Sequence, residues 1–534
     1  MGAAELPVAE AQQQQEGFQE SEREREGDGD GEEDKDSEKE PRHGAPQRHR
    51  MFQRLNPTNP LRIVIDGSRP AVPDPAAPPR PPLPRSAPTL ETQPPPQPNS
   101  AAYTDRIWLS LFLLHAVIAA ALVGFLIFKG VQGLLRADSG VHWKEKRLLE
   151  YFLPQLEAAS VLSIIMAYSW QKAVRTWPVF MAHFILWSSF FTSLAAGVLL
   201  MCIQRPTTQL LGVAFLAFAI GEGLYACWVS SRLTFFARVL VRSLKPVAKF
   251  PDLNWSTYWL LGAGFLWKSV WILAVIGAMN FYAPPAVIIA LVLSLAWTTE
   301  VMRNVANVTV SRVLSLFYLL GMQTSTKMGF VRAMSTNLGS ACLGSLFVPS
   351  IEALRIIARA LNLLEGEDEF MFSCAHCCLH IMQSIFTYGN GWAFVQVAAY
   401  GKPFVRASQD SWDLFTKREM VPVVDADITS ALCFLTGVCS GATCVVMVAA
   451  WTAAVHRGFV ATASLLAFFV GYLMTRIAMA VPQACVSCYY VFYAENPDNR
   501  LFENDRTIPE RLDLMRTGRD AAVSTPRVPR RFRS

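Results

Sequence analysis

The chain has 534 residues, of which 52% are hydrophobic and 17% are charged, below the roughly 25% charged residues of an average soluble protein. The charge is unevenly spread, because residues 1–40 hold 15 of the 43 acidic residues and are near −11, whereas the remainder is near +16. Too few polar residues remain outside this head to cover a soluble surface, which argues against a soluble enzyme. An ordinary count of 11 cysteines, most of them in apolar runs, argues against a secreted disulfide scaffold.

Residues 1–105 are predicted to be a disordered cytoplasmic region, first acidic and of low complexity, then rich in proline. The head lacks an apolar stretch, so we expect no N-terminal signal. Its proline tract has two interpretations. It is either a solvated tether or a ligand for SH3- or WW-type partners.

From residue 107 onward, apolar runs recur at the length that a membrane-spanning helix needs, about 20 residues. The predicted fold is therefore all-α, a polytopic membrane bundle of about ten helices over residues 106–494. The ten candidate spans are 107–128, 153–170, 179–202, 211–230, 258–279, 284–305, 335–357, 371–398, 428–452 and 459–481.

Lysine and arginine accumulate in alternate loops, 15 in one set against nine in the other, so both termini are predicted to be cytoplasmic. The basic balance is typical of such loops and does not indicate a nucleic-acid partner. Residues 232–250 are basic and amphipathic, and either lie on the membrane surface or continue a helix out of it. Residues 495–534 are predicted to form a basic cytoplasmic tail.

Polar groups at membrane depth indicate function because each is costly unless paired or hydrated. Trp297, Glu300 and Asn304 share one helical face, with Arg303 adjacent. This face predicts a cation site, in which the carboxylate supplies charge, the indole binds a quaternary ammonium and the amide orients it. The alternative is a Glu300–Arg303 ion pair within the helix.

Three further acids lie in candidate spans. Glu222 has a glycine on each side, which favours either a substrate site at an interrupted helix or a carboxylate bonded between helices. Glu157 and Glu352 lie nearer the ends of their spans and are expected at the membrane interface.

Tyr388, Asn390 and Trp392 are separated by Gly389 and Gly391 in the middle of a candidate span. Non-helical backbone at this depth requires burial in protein or contact with water, so the segment is either a cavity wall or a helix kink. A cavity wall would place these three side chains opposite Trp297, Glu300 and Asn304.

The cysteine- and histidine-rich run at 374–380 lacks a second distant cluster, so we expect packing rather than a metal site. The sequence has no phosphate-binding loop, zinc-protease motif or nucleophile elbow. We therefore expect no catalytic residues, no metal and no cofactor.

Four segments in order carry a resemblance: WTTEVMRNVANVTVSRVLSLFYLL, RAMSTNLGSACLGSLFVPSIEALRIIARAL, YGNGWAFVQVAAYGKPFVRASQDSWDLF and CVSCYYVFYAENPD. Over residues 150–515 the chain resembles the choline-transporter-like, or plasma-membrane choline transporter, family. Arg312 stands where the family's helix usually has glycine. The resemblance implies about ten spans, both termini cytoplasmic, and transport of choline or a related amine without ATP hydrolysis.

The leading hypothesis is a secondary or facilitative transporter of a choline-like cation in the plasma membrane or another cell membrane. Its substrate-binding residues are predicted to be Trp297, Glu300, Asn304, Glu222, Tyr388, Asn390 and Trp392. The alternative is a membrane-embedded scaffold that recruits partners through its proline-rich head.

Overall fold

A computed structural model describes residues 103–135, 140–279, 284–364, 381 and 384–517, which belong to one compact unit. These residues form helices joined by short turns, and no strand occurs among them. The helices are α1 (Arg106–Leu135), α2 (Gly140–Tyr151), α3 (Leu153–Thr176), α4 (Pro178–Cys202), α5 (Pro206–Leu244), α6 (Trp255–Ala278), α7 (Pro284–Leu320), α8 (Thr326–Met334), α9 (Leu338–Leu364), α10 (Ala393–Tyr400), α11 (Phe404–Lys417), α12 (Val421–Asp425), α13 (Thr429–Val455), α14 (Val460–Ala478), α15 (Ala480–Glu495) and α16 (Thr507–Arg516).

Proline marks where several helices begin. Pro178 and Pro206 are the first residues of α4 and α5, and Pro284 begins α7. Proline suits the first turn because its fixed φ is helical and its missing N–H would have no partner there. The α4–α5 connection is only three residues long, 203–205, so these helices form an antiparallel hairpin.

Eight helices of the described residues are long and apolar enough to cross a membrane, which confirms the predicted polytopic all-α bundle. They match eight of the ten candidate spans. The seventh candidate, 335–357, corresponds to α9, whose apolar part covers Leu338–Leu354.

The eighth candidate, 371–398, is not one continuous helix. Residues 371–380 lie outside the described part of the chain, so nothing is concluded about them. Residues 384–388 are helical, the chain bends at 389–392, and α10 then begins. The sequence correctly indicated non-helical backbone at this place.

α7 is the central helix, and it contacts α1, α6, α8, α9, α10, α14 and α15. Its second half, from Thr299 to Tyr318, is almost entirely buried. With 37 residues it is about 55 Å long, well beyond the roughly 30 Å hydrocarbon core of a bilayer. It therefore continues past the membrane at one end. α5 is similarly long, 39 residues that end at Leu244, so it continues into residues 232–250, in line with one of the two arrangements predicted for them.

Two elements were not anticipated. α15 directly follows α14 and is buried along almost its whole length, although the sequence suggested no span there. Residues 496–516, assigned to the tail, pack on the bundle. In this segment Asn499 Nδ2 donates to the Tyr318 carbonyl, and the Arg511 guanidinium lies 5.0 Å from the centre of the Phe235 ring.

Close helix packing depends on glycine where α6 meets α1. A Cβ on Gly277 would lie 2.3 Å from the Leu126 carbonyl oxygen and 2.9 Å from its carbonyl carbon. These are backbone atoms, so a side chain at Gly277 would force the helices apart. Small residues at such contacts are typical of membrane bundles.

We expect Gly277→Ala to destabilise the protein by about 1–3 kcal/mol, because it overpacks a rigid contact. The matched control is Gly262→Ala on the same helix, where a Cβ meets nothing within 4 Å. That change should be neutral or stabilising, since alanine is the better helix former. Thermal unfolding of the purified variants in detergent is the measurement, and equal midpoints would contradict the α1–α6 contact.

Candidate functional site: a charged and amide-lined centre

The centre of the bundle holds a buried ion network built on Glu300. The Arg303 Nη1 lies 2.5 Å from Glu300 Oε2, and the Arg476 Nε lies 3.2 Å from Glu300 Oε1. All three side chains are about nine-tenths buried or more. Both carboxylate oxygens are therefore already engaged by guanidinium groups, one from α7 and one from α14.

The network extends to α15 through Gln483. Arg303 donates to Gln483 Oε1, and Gln483 Nε2 donates to Ser430 Oγ at 3.4 Å. The Arg476 guanidinium also lies 5.9 Å from the centre of the Tyr472 ring. The network thereby connects α7, α13, α14 and α15.

Asn304 lies one turn further along α7 and faces α9. Its Nδ2 donates to Ser345 Oγ at 2.9 Å, and its Oδ1 is buried without a partner among the described residues. A buried amide oxygen without a donor is costly, so this atom is available to a ligand's N–H, O–H or positive charge.

Trp297 packs against α1. Its ring centre lies 5.4 Å from that of Phe112 and 4.5 Å from that of His115. His115 Nε2 lies 3.0 Å from Ser294 Oγ. The predicted set of Trp297, Glu300 and Asn304 is thus divided among three neighbours, and only Asn304 faces α9.

The bend at 389–392 is fixed by Asn390, which is fully buried. Its backbone N–H donates to Ser408 Oγ at 2.9 Å, its Nδ2 donates to the Ser408 carbonyl at 3.0 Å, and its Oδ1 accepts from the Ala393 N–H at 3.2 Å. The Asn390 side chain therefore ties the bend to α11 and begins α10. Its groups are therefore used for structure, and of the two glycines beside it Gly389 is buried and Gly391 is half-buried.

Trp392 and Tyr388 lie on either side of this bend. The Trp392 ring packs edge-on against Phe386 and Phe415, at 5.8 and 5.5 Å between ring centres. Tyr388 is half-exposed and lines a cleft of about 540 Å³ together with Thr387, Arg406, Gln409, Asp410 and Asp413. The two aromatic side chains therefore do not form one cage.

One face of α9 joins Asn304 to the bend. Ser345, Val348 and Glu352 follow at helical spacing on that face. Ser345 receives the Asn304 hydrogen bond, and a Cβ on Gly391 would lie 3.9 Å from Val348 Cγ1 and 3.8 Å from Glu352 Oε1. Glu352, expected at the membrane interface, is half-buried beside the bend and interacts electrostatically with Arg476. α9 thus connects the two predicted halves of the site, Asn304 and the 389–392 bend. It also adds the Glu352 carboxylate, which was not among the predicted site residues.

Glu222 lies in a different part of the bundle, between α5 and α4. Its side chain is 5% exposed, and its Oε1 accepts a hydrogen bond from Ser189 Oγ. This matches the predicted alternative of a carboxylate bonded between helices. Glu222 contacts none of the α7, α9 or bend residues described above.

Two basic residues in apolar spans escaped the sequence interpretation. Arg476 is the second partner of Glu300, and Lys268 is 1% exposed in α6 with its Nζ 3.2 Å from Ser163 Oγ. The available signal was simply a basic residue inside an apolar run, which is as costly as an acidic one.

Arg312 has a structural role. Its Nη1 donates to the carbonyl oxygens of Ala398 and Ala399 at 3.0 and 2.8 Å. These carbonyls lie at the end of α10, where a cation is favoured by the helix dipole.

The last turn of α15 is held by α10 and α11. Tyr400 Oη donates to Glu495 Oε1, and Arg418 Nε donates to the Ala494 carbonyl at 2.9 Å. Burial raises the pKa of Glu495, while the Tyr400 hydrogen bond and the nearby Lys402 ammonium oppose that rise.

Within the described part of the chain, no three His, Cys, Asp or Glu side chains converge as metal ligands. The run at 374–380 lies outside these residues. The expectation of packing rather than metal binding there stays a prediction.

We expect Glu300→Gln to destabilise the protein by about 3–5 kcal/mol, because removing one partner leaves buried charges uncompensated. The control is Glu510→Gln, which breaks an exposed pair with Arg238 of 3.2 Å and should cost about 1 kcal/mol or less. Thermal unfolding in detergent compares the two. A Glu300→Gln protein of unchanged stability that has lost ligand binding would instead make Glu300 a ligand-binding residue.

Comparison with known proteins agrees with this architecture. The family model described as plasma-membrane choline transporter matches residues 213–498, more than half of the chain. A CTL-like protein of Dictyostelium discoideum is 25% identical over 302 residues, covering 54% of each chain. Protein PNS1 of Mycosarcoma maydis is 26% identical over 234 residues, covering 40% of this chain and 43% of that protein. The chain thus spans about half the length of the curated relatives it matches. It belongs to the plasma-membrane choline transporter family.

Proposed function

We propose that the protein transports a small organic amine cation such as choline, by a secondary or facilitative mechanism without ATP hydrolysis. The observation that carries this proposal is the α9 face on which Asn304 and the 389–392 bend converge. Glu352 supplies a carboxylate there, and Asn304 supplies an unpartnered amide oxygen. Membership of a transporter family supports the same conclusion.

The contacts favour Glu352 over Glu300 as the counter-charge of the substrate. Two guanidinium groups hold Glu300, so a cation binding to it would meet net positive charge. Glu352 also interacts with Arg476, and it differs from Glu300 in lying beside the glycine backbone of the bend. Interrupted helices line substrate sites in transporters because their free backbone groups are exposed to the cavity.

The predicted site residues then take different roles in this proposal. Asn304 and the backbone of the bend contact the substrate, and Glu300 is a positioning residue that fixes α7 against α14. Asn390 shapes the bend. The rings of Trp392 and Tyr388 flank it, where an aromatic face can contribute about 0.5–2 kcal/mol to binding a cation.

The test is uptake of labelled choline into proteoliposomes. Glu352→Gln should raise the apparent KM about tenfold or more, because it removes the counter-charge of a quaternary ammonium that has no N–H to donate. Asn304→Ala should raise it about two- to tenfold, since a neutral hydrogen bond to the choline hydroxyl contributes about 0.5–1.5 kcal/mol. A neutral isostere, 3,3-dimethylbutan-1-ol, should compete poorly with choline because it lacks the charge.

The control variant is Glu419→Gln, which removes an exposed carboxylate paired with Arg516 and should transport as the unaltered protein does. Uptake equal to that of empty liposomes would refute the choline assignment. Effective competition by the neutral isostere would refute recognition of the charge.

We further propose that the protein resides in the plasma membrane with both termini in the cytoplasm, as the loop charges indicate. The α4–α5 connection at 203–205 would then be extracellular, and the turn that ends at Asn254 would be cytoplasmic. The proline-rich head lies outside the described residues, and binding of SH3- or WW-type partners stays a prediction from its sequence.

Cysteine labelling on intact cells tests this orientation. Cys202, exposed at the end of α4, should react with a membrane-impermeant maleimide from outside. A cysteine introduced by Asp252→Cys, in a Cys202→Ser background, should react only after permeabilisation. The reverse pattern would invert the topology.

A further inference from the structure

Glu222 lies in the middle of the membrane domain, away from the centre around Glu300. Ser189, its partner on α4, is 11 residues from the start of that helix at Pro178, which places it about 16 Å along the helix from that end. Ser189 and Ser193 are one turn apart and lie on the buried side of α4. The carboxylate is thus buried about midway along the α4–α5 hairpin.

The bonding of this carboxylate is incomplete. Ser189 Oγ donates to Oε1, whereas Oε2 is buried without a partner among the described residues. The Ser193 hydroxyl, which also approaches this carboxylate, is buried and likewise lacks a partner among the described residues. The groups that bond to or approach this carboxylate are therefore two serine hydroxyls, neither of which carries a charge.

The groups that face Glu222 from the packed helices carry no compensating charge. On α13 the facing titratable group is the Cys439 thiol, whose Sγ donates to Ser188 Oγ at 3.7 Å. The basic residue of α14, Arg476, is engaged by Glu300. The tyrosines of α15 that pack near α5 bond to other acids, Asp505 and Asp427.

An ionised carboxylate in this setting costs several kcal/mol, whereas a carboxylic acid can donate its proton to a neighbouring hydroxyl. A hard divalent cation such as Ca²⁺ takes six to eight oxygen ligands, whereas one carboxylate and two serine hydroxyls meet here among the described residues. The chemistry that fits is a proton.

We propose that Glu222 is a proton-binding site, loaded in the conformation seen here and emptied when the α4–α5–α13 interface opens. The part of this inference that couples protonation of Glu222 to transport rests on the proposed function. The proton passes between the carboxyl group and water that enters the opened interface, so no other reactant is required.

A mechanical route connects this site to the Glu300 network. α13 packs against α4 on one side and α14 on the other. The α13–α14 contact is backbone-close, because a Cβ on Gly471 would lie 2.8 Å from the Ser440 carbonyl oxygen. Since α14 carries Arg476, a shift of α13 that opens the Glu222 site also moves a partner of Glu300.

Infrared spectroscopy of the purified protein tests protonation without any substrate. Between about pH 5 and about pH 9, we expect a carboxylic-acid C=O band that disappears reversibly as one group titrates. The band should be missing in Glu222→Gln and shifted in Ser193→Ala, which removes the proposed acceptor. Glu510→Gln, at an exposed site, is the control and should retain it. A band that never titrates, or is absent throughout, overturns the proposal.

Choline uptake as a function of pH tests coupling. In the unaltered protein, uptake should vary with pH by up to about tenfold per unit, the limit for one titrating group. In Glu222→Gln the variation should fall below about twofold, with uptake retained. An unchanged pH profile in Glu222→Gln overturns coupling. If the infrared band titrates but the protein does not take up choline, the proton site at Glu222 is supported and the proposed function is refuted.

Discussion

The Glu300 carboxylate, held between Arg303 and Arg476, is the interaction on which the centre of the bundle depends. Hydrocarbon offers no solvation to an ion, so each charge placed there must be met by another within the protein. Because Arg476 comes from α14 and Gln483 from α15, satisfying one carboxylate fixes the positions of three helices. The fixed second half of α7 then presents Asn304 to α9.

Glu300 and Glu222, the two buried acids among the described residues of the bundle, differ in the groups that compensate their charge. We propose that this difference gives them different functions. Glu300 has a guanidinium on each oxygen and serves as a structural anchor. Glu222 has one hydroxyl donor and a free oxygen, which is the arrangement expected of a group that gains and loses a proton. We therefore propose two separate sites, one for the substrate at the α9 face and one for the proton at the α4–α5 hairpin. Helix α13 connects them.

The sequence predicted the spans well because a bilayer imposes a simple requirement of about 20 apolar residues in one helix. Eight predicted spans lie in helices that satisfy it. α15 was missed because it follows α14 with almost no interruption and is buried by protein, so no loop marks its start. The bend at 389–392 was recognised from its glycines, but the role of Asn390 as its tie to Ser408 was not, since that bond joins residues 18 apart.

What the sequence by itself determined was the membrane-spanning all-α class, most of the helices, and the short set of buried polar residues worth attention. These follow from local composition, because hydrophobic length and the cost of a buried charge act at each position independently. Only the tertiary structure decided the partners of those residues. Glu300 lies 176 positions from Arg476, and Asn304 lies 41 from Ser345. Whether a buried acid is a structural ion pair or a free binding group depends on such distant neighbours, which local pattern does not encode.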